Sequence, residues 1–196
     1  KGSRLQSVVS DRPKPMAEVA GRPFVEWLVL ALRDQGIRRV VFCTGYMGEV
    51  VAQYFGDGRC WDMTFVYAPE PEPLGTAGAL RFALDQVQGE RFLALNGDSY
   101  CQADVSTMCR CHKERGSRAT LWLVLVGASG RYGSVVLGKD NEILGFQEKS
   151  ADETPGLINA GVYLLEREAI FQIPESQPVS IETQVFPQLV GQGLYG

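Results

Sequence analysis

The sequence predicts an α/β fold, and three observations carry that prediction. Phe92-Leu93-Ala94-Leu95 is an unbroken apolar run that stops at Asn96-Gly97-Asp98, as a strand buried on both faces does when it meets a turn. Before this run, short β-rich segments alternate with stretches of helical period, the βαβ order that builds a mostly parallel sheet. After it, strands follow one another across tight turns, so antiparallel additions are expected in the second half.

Taken in order, Pro23 opens a helix whose apolar face carries Phe24, Trp27, Leu28, Ala31 and Leu32, and Gly36 closes it. Arg39 to Cys43 is a strand ending at Thr44-Gly45. Met47, Val50, Val51 and Tyr54 mark a second amphipathic helix, and Met63 to Tyr67 a short strand. Leu80, Ala83, Leu84 and Val87 mark a third helix, ended by Gly89 before the central strand. A helix over roughly 104–115 begins near Asp104, and Ala119 to Val126 is a strand. Arg131 to Leu137 and Ile143 to Glu148 form a hairpin around Gly138-Lys139-Asp140-Asn141. Leu157 to Leu165 is a further strand, and a late helix near 181–190 is bent or interrupted by Pro187.

At 196 residues and 45% hydrophobic, the chain suits one domain with a substantial core, and no repeat or linker divides it. A net charge of −4 argues against nucleic acid or an anionic membrane as the main partner. No apolar run approaches the roughly 18 residues of a membrane span, and no signal peptide is visible. Five cysteines, an odd number without framework spacing, favour a reduced, cytoplasmic setting. Cys109, Cys111 and His112 invite a metal reading. Val105, Met108, Cys109 and His112 fit instead the buried stripe of a helix, and a second ligand pair is lacking.

Three stretches carry chemistry. Asp98, at the carboxyl end of the central strand, stands where open α/β sheets place their ligands; the alternative is an ordinary turn acid. Arg4, Arg12 and Lys14 lie on backbone held extended by Pro13 and Pro15, beside Gly2 and Ser3, an arrangement suited to a polyanion such as a triphosphate. Neither a Walker loop nor a G-x-G-x-x-G fingerprint is present. Glu70-Pro71-Glu72-Pro73-Leu74-Gly75-Thr76 is too proline-rich and acidic for mere connection. Gly75 there is expected to admit a ligand, and Thr76 to cap a helix whose free amides face a cleft.

Gly2-Ser3-Arg4-Leu5 with Pro13-Lys14-Pro15, Leu74-Gly75-Thr76-Ala77-Gly78, Asn96-Gly97-Asp98, Phe146-Gln147-Glu148-Lys149 and Asn159-Ala160-Gly161 follow one another in a family order. In these motifs the chain resembles the sugar-phosphate nucleotidylyltransferases over nearly its whole length. The guanylyltransferases of D-glycero-D-manno-heptose 1-phosphate are the most similar, with those of mannose 1-phosphate next. The resemblance implies a Rossmann-like three-layer sandwich, the GT-A-like nucleotidyltransferase fold, with residues 1–196 as a single domain. It implies that Arg4, Lys14 and Asp98 serve catalysis, Asp98 holding Mg²⁺. Gly2, Ser3, Arg4, Lys14, Glu70, Leu74, Gly75, Thr76 and Gly78 would bind the nucleotide. Tyr132, Gly133, Glu148 and Asn159 would lie against the sugar, and Lys149 would grip its phosphate. Two departures accompany the likeness. The family's first strand precedes Arg4 and its second metal-binding aspartate follows a late strand; neither is found here, so a trimmed form of a longer protein is expected.

The implied reaction passes a nucleoside monophosphate, GMP from GTP, to a sugar 1-phosphate, releasing pyrophosphate and making a nucleotide sugar for surface polysaccharide. Joining two polyanions needs positioning and charge neutralisation rather than a protein nucleophile. A carboxylate suits guanine, whose N1–H and 2-amino group are adjacent donors, and Glu70 is the candidate reader, with Glu72 its competitor. Mannose- or glucose-1-phosphate nucleotidylyltransferase, a glycosyltransferase using a nucleotide-sugar donor, and a non-catalytic nucleotide-sugar sensor are the alternatives.

Overall fold

The computed structural model describes residues 12–149 and 154–196. Gly2, Ser3 and Arg4 therefore lie outside the described residues.

The first half alternates as expected. A small hairpin of β1 (Glu18–Val19) and β2 (Arg22–Pro23) leads into α1 (Phe24–Asp34). Then come β3 (Arg39–Thr44), α2 (Gly48–Phe55), β4 (Thr64–Pro69), α3 (Gly75–Ala83) and β5 (Arg91–Leu95). β3 and β4 pair in parallel from Arg39–Thr64 to Thr44–Pro69, the product of a βαβ crossover through α2. One core of this half is aromatic. Phe55 lies 5.3 Å from Phe42 and 5.4 Å from Phe65, with Trp61 at 5.2 Å. Each such pair adds about 0.5–1.5 kcal/mol beyond area burial. Met16 is buried in the same cluster, which anchors the short 3₁₀ turn Lys14–Met16.

The second half is built on β9 (Gly156–Glu166), between β5 and β6 (Ala119–Val126) and antiparallel to both. β10 (Leu194–Tyr195) joins the far edge of β6 in parallel, giving the order β10-β6-β9-β5. The central sheet is thus mixed. Among the described residues β5 pairs with β9. Apolar residues on both faces arise here because helices cover both sides. Val162 and Leu164 of β9 face a cluster with Met108 of α4 (Val105–Arg115). Tyr163 and Leu165 alternate to the opposite core with Ala77, Ile170, Ile181 and Phe186. That core is closed by α5 (Arg167–Phe171), a π-turn over Ile181–Val185 and α6 (Phe186–Leu189). The late helix is therefore divided, and Pro187 sits in the first turn of its second piece.

β7 (Ser134–Leu137) and β8 (Ile143–Gln147) form the expected hairpin. Tyr132 and Gly133 precede β7 as a turn rather than belonging to the strand, because the positive φ of Gly133 (80°) breaks the extended course. α4 starts at Asp104, whose carboxylate accepts from the Thr107 amide at 3.0 Å. Met108 and His112 are its buried positions, while Cys109 is exposed and leaves the expected stripe. No described helix is long and apolar enough to cross a membrane.

Candidate active site

The turn after β5 meets the turn Lys14–Met16. A Cβ at Gly97 would stand 3.6 Å from Pro15 Cγ, so Pro15 lies over the Asn96-Gly97-Asp98 turn. Lys14 and Asp98 thus sit on adjoining loops. Asp98 is exposed, with Ser99 Oγ 3.5 Å from its Oδ1, and Lys14 is half-buried. A strand-tip carboxylate open to solvent fits a hard cation that takes one or two protein carboxylates and fills its shell with phosphates and water. Among the described residues no three His, Cys, Asp or Glu side chains cluster to hold a metal.

Glu70 follows directly on β4. Its amide donates to the Thr44 carbonyl at 2.8 Å, and its Oε2 accepts from the Leu74 amide at 3.1 Å. The carboxylate thereby closes the proline-held loop upon itself and leaves Oε1 for a ligand. α3 begins at Gly75 after Leu74, and Thr76 is not its cap. Two of the first amides are engaged within the protein: Ala77 and Gly78 donate to the Val179 carbonyl at 2.9 and 3.3 Å. Gly75, at φ 70°, has that same carbonyl 2.7 Å from where a Cβ would be, and Gly78 has the Gln177 carbonyl at 2.6 Å. The missing side chain of Gly75 makes room for the 177–179 segment. Leu74 and Gly78 are buried, while Gly75 and Thr76 are exposed.

The third group gathers around the end of β8. A Cβ at Gly133 would be 2.8 Å from the Gln147 carbonyl and 3.9 Å from the Lys149 amide. Tyr132, Glu148 and Lys149 are all exposed beside this contact. Asn159 lies apart from it, in a bulge of β9. The pairing with β6 slips between Leu121 and Leu123, and the Asn159 Oδ1 accepts from the Gly161 amide at 2.9 Å. The bulge lets the Asn96 amide donate to the Gly161 carbonyl at 2.8 Å. Asn159 and the Asp98 turn are therefore neighbours.

Sequence reasoning missed the residues behind these loops. Asn159 Nδ2 donates to the Tyr163 hydroxyl at 3.0 Å, and Tyr163 donates to Glu182 Oε1 at 3.3 Å. Glu182 Oε2 accepts from Thr76 Oγ1 at 2.8 Å and from Ser180 Oγ at 3.1 Å. Burial first, then the Glu182 charge, push the Tyr163 phenol well above its ordinary value, so it stays a neutral donor. The sequence signal was slight: an acid in Ser180-Ile181-Glu182, heading an otherwise apolar segment.

The site is thus a mixed α/β sheet with the Lys14 turn lying against a strand-tip acid. The chain belongs to the Nucleotidyl transferase family, whose profile matches residues 1–194. It is 34% identical to the mannose-1-phosphate guanylyltransferase of Mycobacterium tuberculosis, over 100% of this chain and 55% of that protein. It is 37% identical to the D-glycero-alpha-D-manno-heptose 1-phosphate guanylyltransferase of Aneurinibacillus thermoaerophilus, over 87% of this chain and 73% of that protein. The crystal structure of HddC from Yersinia pseudotuberculosis complexed with GMP-PN superposes with a TM-score of 0.83. That match has 30% identity and covers 94% of this chain and 80% of HddC. The chain thus spans about half the length of the mycobacterial relative and more of the heptose enzyme.

Proposed function

We propose that the protein transfers GMP from GTP to a sugar 1-phosphate, D-glycero-D-manno-heptose 1-phosphate first and mannose 1-phosphate second, releasing pyrophosphate. The observation that supports this reading is the apposition of Pro15 and Gly97, which brings the turn bearing Lys14 against the turn bearing Asp98. The likeness to sugar-1-phosphate guanylyltransferases supports the choice of substrates. Lys14 neutralises nucleotide phosphate on one side, and Lys149, beside Gly133 and Glu148, receives the sugar phosphate on the other. Arg4 acts with Lys14 on the nucleotide. Asp98 would hold Mg²⁺, which when bound supplies charge neutralisation at the phosphate oxygens. Residues 1–196 act as one domain. The five cysteines are free thiols, which supports a reducing, cytoplasmic setting.

The test is pyrophosphate release by the full-length protein, over four nucleoside triphosphates and the heptose, mannose and glucose 1-phosphates. Release with GTP and one sugar 1-phosphate is expected, and Asp98→Asn should lower turnover about 100-fold or more with the fold intact. Absence of release with every pair, or near wild-type turnover of Asp98→Asn at saturating Mg²⁺, overturns the reading. A glycosyltransferase would instead consume a nucleotide sugar without releasing pyrophosphate.

A further inference from the structure

We propose that Glu182 is a positioning residue that locks the nucleotide loop to the sugar side of the cleft, so that each substrate's site is set by the other's supports. The inference rests on the guanylyl-transfer reading only for its kinetic test. Three hydroxyls converge on this one carboxylate: Thr76 from the first turn of α3, Ser180 from its own segment, and Tyr163 from β9. None of the three can reverse its role at no cost. Thr76 Oγ1 already accepts from the Ile181 amide at 2.8 Å, so its hydrogen goes to Glu182. Ser180 Oγ accepts from the Thr183 amide at 3.2 Å. The Tyr163 hydroxyl receives Asn159 Nδ2, so its own hydrogen goes onward to Glu182.

Only an acceptor-only group satisfies such a set on both oxygens. An amide would turn its NH₂ toward at least one of these donors. The chain of bonds runs from Thr76, through Glu182 and Tyr163, to Asn159, whose Oδ1 holds the Gly161 amide. The Gly161 carbonyl in turn accepts from the Asn96 amide, two residues before Asp98. Tyr163 is 2% exposed and packs edge-on against Phe186 at 5.0 Å, so it has little room to swing away when the bond is cut. Helix α3 and β9 meet in the shared core of Ala77, Tyr163 and Leu165, and this bridge adds a directional link between them.

The experiment is a double-mutant cycle in the full-length protein, Thr76→Val with Tyr163→Phe, read as kcat and as the KM of GTP and of sugar 1-phosphate. Each single change cuts the bridge at one end. The expected result is cross-talk: Thr76→Val raises the KM of the sugar 1-phosphate and Tyr163→Phe raises that of GTP. The double variant should fall short of the product of the singles by about threefold or more. Glu182→Gln should match the singles, and Glu182→Asp, which keeps an acceptor-only carboxylate, should recover part of the loss. Multiplicative effects, or effects confined to the nearer substrate, overturn the proposal. Amide exchange at Ala77 and Gly78, and at Asn96, tests the bridge without turnover. Each single variant should speed exchange at both ends, and acceleration at the near end alone refutes the bridge. A protein that shows the exchange coupling but releases no pyrophosphate with any pair would retire the guanylyl-transfer reading and keep this one.

Discussion

Glu70→Gln should move the base preference away from guanine, and the local geometry says by how much. Glu70 Oε2 accepts from the Leu74 amide at 3.1 Å, a bond that closes the loop before α3. In the glutamine variant the single remaining oxygen is drawn to that amide, because a half-buried backbone donor is costly to leave unpaired. The NH₂ then occupies the place of Oε1 and faces the base. Guanine presents N1–H and its 2-amino hydrogens there, so donor meets donor, whereas uracil presents carbonyl oxygens on either side of one N–H. The variant loses a charge-assisted acceptor for GTP and gains a donor for UTP. A base contact of this kind discriminates by about 1–3 kcal/mol, so the GTP-to-UTP ratio of kcat/KM should fall about tenfold or more. The assay is pyrophosphate release with each nucleotide at saturating sugar 1-phosphate, in wild type and variant. A wild type that prefers UTP, or a ratio unchanged by the substitution, refutes the reasoning. In the second case Glu72, exposed on the same loop, becomes the reader.

Two further outcomes are expected. Lys149→Ala should raise the KM of sugar 1-phosphate about tenfold or more while sparing GTP affinity, and Lys14→Ala should do the reverse, since each loses one charge-assisted contact. Calorimetric titrations showing the opposite pairing would undo the division of the cleft. His112 governs acid stability: its Nδ1 lies 2.8 Å from Thr120 Oγ1 and its Nε2 3.1 Å from Glu166 Oε1. Burial lowers its pKa, outweighing Glu166, so the folded state resists the proton that the unfolded chain accepts. Its contribution is complete above the unfolded value of about 6.5 and is lost as pH falls below it. The Tm should drop from pH 7.5 to 5.5, and His112→Gln should flatten that slope; an unaltered slope in the variant removes His112 as the cause.

The order of elements was legible because hydrophobic period and turn chemistry are local. Pro23, Gly36, Asp104 and Gly138 to Asn141 mark boundaries by properties of their own backbones, and the structure places boundaries there. Sheet pairing was less legible. Phe92 to Leu95 would look the same in a parallel or antiparallel ladder, since helices on both faces, not strand direction, make it apolar throughout. Thr76 was misread as a cap for a related reason: a hydroxyl at a helix start suits a cap equally well as a distant acid, and Glu182 is 106 positions away. Tyr163 and Glu182 left little trace because hydrogen bonds between segments remote in sequence have no local period. Lys14 and Asp98 stand out in sequence because proline-held and strand-ending contexts announce themselves.

The glycines of the family motifs carry the last step. In sequence Gly75, Gly78, Gly133 and Gly161 suggest backbone cleared for a ligand. In the fold the missing Cβ positions face protein: the Val179, Gln177 and Gln147 carbonyls at 2.7, 2.6 and 2.8 Å, and Asn96 Nδ2 at 2.9 Å. Each motif is therefore a joint, where one loop of the cleft is pressed onto a segment that supports another loop. Such joints suit a reaction between two phosphorylated substrates. With no protein nucleophile to tune, the rate depends on how well the attacking oxygen, the phosphorus and the surrounding charges are held in line. A side chain at any of these four positions would leave every charged residue in place and still move a wall of the cleft. The glycines and the Glu182 carboxylate thus join segments by different means, one by close approach and the other by hydrogen bonds.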